Sequence, residues 1–162
     1  MRASIVKHGM ATLFDHAHHA EHGIETKIPF INRFFRHSRS LPVVLGHTST
    51  EKVAHLIDYI HQQCEGKVPF VLSSDLSHFH PRKIASSLHQ KVAKLIETGQ
   101  SSKLDGNLAC GHAAIRGFLI PGLAVARAPC SFLVTIAPQL QKIAHAWSVM
   151  AHGPSILQGP IF

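Results

Sequence analysis

The chain has 162 residues, of which 45% are hydrophobic, enough for one domain with its own core. Lys and Arg number 16 against 9 Asp and Glu, a formal net charge of +7. The basic residues are scattered, with no run of like charge and a single Trp and Tyr, so nucleic-acid binding is not expected. Histidine is the compositional outlier with 15 residues, which makes the net charge climb below roughly pH 6.5.

Cys64, Cys110 and Cys130 are odd in number and lack CxxC spacing. That argues against a disulfide framework and a zinc ribbon, suits a reducing compartment and makes the cytoplasm the default location. The first residues include Lys7, His8 and Asp15 and contain no apolar run of the kind a secretion signal needs. The most apolar stretch, Gly117 to Pro138, is broken by Pro121, Arg127 and Pro129. A membrane span of roughly 20 uninterrupted apolar residues is therefore not expected.

In chain order, the first 15 residues show no clear period. From Glu21 to Arg36, Ile24, Ile28, Ile31, Phe34 and Phe35 recur at near-helical spacing around Pro29, which predicts a short helix that kinks or restarts. Leu41 to Leu45 is a β-branched run closed by Gly46 and reads as a buried strand. A clear amphipathic helix follows, capped by Ser49 or Thr50, with Val53, Leu56, Ile57, Ile60 and Cys64 on its buried face and Gly66 as its stop.

Val68 to Leu72 reads as a second buried strand running into Ser73-Ser74-Asp75. A second helix then opens at Pro81, with Ile84, Leu88, Val92, Leu95 and Ile96 toward the core and Gly99 at its end. A further helix is expected over Leu108 to Leu119; beyond Ile120 the pattern breaks into short apolar pieces separated by prolines. Alternating strands and helices predict an α/β fold with a mixed, largely parallel sheet flanked by helices. Ligands in such sheets bind beyond the carboxyl ends of the strands, which here is Ser73 to His80.

Three places carry chemistry-bearing side chains. Asp15 to Glu25 holds His16, His18, His19 and His22 with three carboxylates; neutral imidazole is a common metal ligand, yet the spacing fits no zinc motif and equally describes a solvated loop. Asp75 and His78 stand three apart after a predicted strand. Asp75 could orient an imidazole or accept a proton and His78 could act as base or ligand, whereas the plainer reading is a helix cap and a surface histidine. Cys110 precedes Gly111, which permits close backbone approach at a helix start; the sulfur is either a soft ligand or nucleophile, or a small buried apolar group.

Taken together, three segments resemble the MEMO family, also called the AmmeMemoRadiSam system protein B family. Ala20 to Ile31 (AEHGIETKIPFI) resembles its EHS-I-E…PF motif, Val71 to Pro81 (VLSSDLSHFHP) its SSD-x-SH motif, and Leu108 to Ile115 (LACGHAAI) its CG motif. Order and separation agree over about residues 12 to 120. The resemblance implies a fold like that of class III extradiol dioxygenases. It implies that His22 and Cys110 are pocket residues able to bind a metal such as iron or copper, and that Asp75 and His78 line the same pocket as catalytic candidates. Gly23 stands where the family usually has serine.

The HAGY-type and GPNH-type motifs of the family's upstream part have no counterpart here. The expectation is thus a partial domain over residues 1–120, holding the central and C-terminal portion, followed by a divergent, poorly ordered tail over 121–162. Three functions compete on these grounds. The first is a metal-dependent redox or dioxygenase-like role, with a substrate the sequence does not name. The second is a non-catalytic module that binds acidic or phosphorylated peptides through protonated histidines. The third is an inactive truncated fragment.

Overall fold

The computed structural model describes residues 1–19, 21–76 and 80–120, with the side chain of Arg82 left aside. Cys130, Trp147 and the expected 121–162 tail lie outside the described residues, as does His78. One compact unit spans Met1–Thr48 and a second begins at Ser49.

The first unit is built of short helices: α1 (Arg2–Lys7), α2 (His16–His19), α3 (His22–Glu25) and α4 (Ile28–Phe34). α1 falls where the sequence showed no period, and Ile5 is its buried residue. The restart expected around Pro29 occurs at Thr26 and Lys27. Glu21 accepts the Gly23 N–H to open α3, and Pro29 sits in the first turn of α4, where its missing N–H leaves no helical bond unmade. Lys27 is buried between the two helices in sequence and donates to the Thr26 hydroxyl at 2.9 Å.

In the second unit α5 spans Thr50–Gln63 and α6 spans Arg82–Glu97, followed by a 3-10 turn at Ser101–Lys103 and α7 at His112–Phe118. Ser49 is the N-cap of α5, accepting the Lys52 N–H at 3.3 Å, so the sequence alternatives resolve in favour of serine. Hydrogen bonds from its own backbone and from Ser49 hold the Glu51 carboxyl below the usual carboxylate range. Val53, Ala54, Leu56, Ile57 and Ile60 form the buried face of α5. Glu65 and Gly66, both at positive φ, close the helix as the Gly66 N–H returns to the His61 carbonyl at 2.9 Å.

α5 packs against α7. A Cβ added at Gly117 would stand 2.6 Å from Val53 Cγ1 and 2.7 Å from Val53 Cβ, so the absence of a side chain there sets how closely the two helices approach. Ile115 and Phe118 complete the buried side of α7, and Phe118 meets the Phe70 ring edge-on at 5.8 Å. Val92, Leu95 and Ile96 bury α6 as expected. Ile84, assigned to the same face, is instead 48% exposed. Pro81 is the N-cap of α6 rather than a first-turn residue, and α7 is shorter than the predicted helix because Asp105 turns the preceding chain by accepting from the N–H groups of Asn107 and Leu108.

The expected α/β sheet, and with it the likeness to the class III extradiol dioxygenase fold, is overturned. Among the described residues no extended strand is present; Phe70 and Ser73 are isolated bridge positions. Residues 41–45 and 68–72, both read as buried strands, carry largely half-exposed or exposed side chains. A run of β-branched residues becomes a strand only when a neighbour supplies a ladder of donors and acceptors. Pro42 and Pro69 each remove one donor from these short segments.

Two outcomes follow. Gly117→Ala improves intrinsic helix propensity by about 0.5–1 kcal/mol, but overpacking against Val53 costs about 1–3 kcal/mol, so a lower midpoint in urea unfolding is expected. Burial lowers the pKa of His89. Its neutral form favours the fold above the unfolded value of about 6.5, and that stability is lost as pH falls through 6.5 toward the folded value. His89→Gln should therefore show a smaller drop in melting temperature between neutral and mildly acidic pH than the parent protein.

Candidate functional site

The sulfur of Cys110 and the backbone of Asp75, both residues picked out in the sequence and 35 positions apart, meet in the second unit. From Leu72 to Leu76 the chain buries every second residue: Leu72, Ser74 and Leu76 are buried, while Ser73 and Asp75 are half-buried. That alternation is the signature of extended backbone, although among the described residues no strand partners it. In place of a ladder, its polar groups find Cys110 and Gly111.

Both backbone groups of Asp75 are taken up by Cys110. The Asp75 N–H donates to Cys110 Sγ at 3.1 Å, and the Cys110 N–H donates to the Asp75 carbonyl at 3.0 Å. Ser74, 2% exposed, accepts the Gly111 N–H at 2.9 Å and donates to the Asp75 carbonyl at 3.0 Å. Its hydroxyl also lies 3.8 Å from Cys110 Sγ. Gly111 makes the approach possible: an added Cβ would stand 2.6 Å from the Ser73 carbonyl and 2.7 Å from Ser74 Cβ.

Cys110 is nonetheless exposed and free of any disulfide. The arrangement therefore holds a sulfur in a fixed orientation while leaving it accessible. An N–H directed at sulfur stabilises it more when the sulfur is anionic or bound to a metal than when it is a neutral thiol. α7 begins at His112, so Cys110 precedes the helix instead of lying within it as the expected Leu108 to Leu119 span would have it. Cys64, read from the sequence as a core residue, is half-buried at the end of α5.

Of the four site residues inferred from the sequence, Asp75 and Cys110 are thus brought together. His22 is the first residue of α3, exposed, in the first unit, and His78 lies outside the described residues. Among the described residues, no group of three or more His, Cys, Asp and Glu side chains is gathered for a metal. Sequence reasoning passed over two residues. Ser74 organises the junction, and its only sequence signal was its place between Ser73 and Asp75. His112 has Nδ1 at 3.1 Å from the Ala109 carbonyl; with Nδ1 as donor, its Nε2 keeps the lone pair. Its proximity to Cys110 in CGH was the available signal.

Ser74→Ala removes a buried hydroxyl and leaves the Gly111 N–H without its acceptor, so a loss of about 1–3 kcal/mol is expected in chemical denaturation. It should also raise the rate at which a thiol reagent labels Cys110, because the sulfur loses its orienting neighbour. An unchanged melt and labelling rate would show that the junction contributes nothing.

The family model described as Memo-like protein matches residues 3–121, slightly more than the three motifs span. A MEMO1 family protein of Methanothermobacter thermautotrophicus is 25% identical over 141 residues, covering 81% of this chain and 50% of that protein. MEMO1 family proteins of Caldivirga maquilingensis and Methanosarcina barkeri are each 34% identical, over 47% and 49% of this chain and 28% and 31% of their own lengths. The chain thus spans half or less of the length of these relatives. No solved structure gives a significant match. The match over residues 3–121 and these relatives establish that the chain belongs to the Memo-like protein family.

Proposed function

We propose that this Memo-like protein holds a redox metal, iron or copper, through Cys110, with Asp75 and His78 lining the same pocket. The observation that carries the reading is the Cys110 sulfur, exposed yet oriented by the Asp75 N–H at 3.1 Å. A soft sulfur suits copper or iron better than calcium or magnesium, which prefer oxygen. The donor chemistry of Cys110 fits such an ion.

When bound, the metal would contribute electron-transfer or Lewis-acid chemistry. The residues of the chain have the supporting tasks. Asp75 and Ser74 orient the sulfur through backbone and hydroxyl hydrogen bonds; the Asp75 carboxylate and His78 would accept or return a proton beside the ion. An exposed sulfur in this role favours a reducing compartment such as the cytoplasm. Among the described residues no helix is long and apolar enough to cross a membrane.

The test is metal content after loading the purified chain anaerobically with iron(II) or copper(I). Near-stoichiometric retention is expected in the parent and loss in Cys110→Ser, whose circular dichroism melt shows whether the fold survives. Unchanged metal content in the folded variant would refute the assignment.

A further inference from the structure

The histidine-rich segment ahead of α3 is not used by the pocket just proposed. Within it, α2 places His16 and His19 three residues apart, the spacing that brings side chains to one helical face. Their ring centroids stand 6.3 Å apart with the planes at 76°. Two imidazole nitrogens sharing one ion at about 2.0–2.1 Å set their ring centroids roughly 5 Å apart in a tetrahedral arrangement. The observed separation needs only a small rotation of two exposed side chains to reach it.

Local structure sets the backbone that carries those rings. Phe14 lies nearly parallel to the His16 ring at 6.0 Å and 17°. The turn is closed by hydrogen bonds from Ala17 to the Phe14 carbonyl and from His18 to the Asp15 carbonyl, each 3.0 Å. Both imidazoles face solvent, so binding an ion there requires no burial of charge.

We propose that His16 and His19 form a second metal site, a two-imidazole chelate for a borderline divalent cation of the nickel(II), copper(II) or zinc(II) class. Nitrogen-only donors select those ions over magnesium and calcium. Two protein ligands leave the remaining positions to water, so the ion exchanges readily, unlike one in a closed four-ligand structural site. The site is separate from the Cys110 pocket and does not depend on it.

The experiment uses the whole chain at pH 7.5 with nickel(II) as the probe, read by calorimetric titration and by paramagnetic broadening of the histidine ring resonances. The resonances of His16 and His19 should broaden at the lowest nickel additions. The His16→Gln/His19→Gln double variant should lose this early broadening and weaken the corresponding nickel binding at least about tenfold, while His18→Gln and His22→Ala retain both. Uniform broadening across the histidines, or retention of this binding in the double variant, would overturn the proposal. Loss of iron or copper in Cys110→Ser bears only on the other pocket, so the two readings fail separately.

Discussion

The hydrogen bonds between Ser74-Asp75 and Cys110-Gly111 organise the described part of the second unit. An extended segment without a strand beside it must satisfy its polar backbone elsewhere, and here one cysteine takes both groups of Asp75. The buried Ser74 hydroxyl takes the next N–H. The same contacts that satisfy the backbone therefore fix the sulfur, and the stability of this region and the orientation of its most reactive atom share a cause.

Two glycines translate that local junction into packing. Gly111 lets the chain come against the Ser73 carbonyl, and Gly117, six residues on, lets α7 come against Val53 of α5. Neither glycine has a positive φ. Space, not backbone conformation, is what demands them. α7 is thus held at one end by polar contacts and at the other by close helix contact, with Ile115 and Phe118 buried between. A substitution at either glycine would act on the sulfur as well as on the core.

Family membership and metal chemistry stand on different footing. Membership rests on a match over most of the chain, residues 3–121, and on relatives sharing the same descriptor. The metal reading rests on the accessibility and orientation of one sulfur. Because the chain spans half or less of those relatives, the activity of a whole Memo-like protein is not carried over to it with the name. The histidine pair in α2 is independent of both, being a matter of helical spacing and ring separation within a single turn.

The amino-acid sequence alone determined the long helices and the family. Ser49 or Thr50, the apolar spacing from Val53 to Ile60 and Gly66 mark α5 through interactions confined to neighbouring turns, and short motifs survive as residue identities whatever the chain packs against. It misjudged the segments 41–45 and 68–72, because a strand is defined by a neighbour that local sequence does not contain. It singled out Asp75 and Cys110 and, by resemblance, placed them in one pocket, but it did not specify the backbone contacts that join them. Tertiary structure decided that contact, along with the part played by Ser74: a hydrogen bond across 35 residues depends on how the intervening helix packs, which no local pattern encodes.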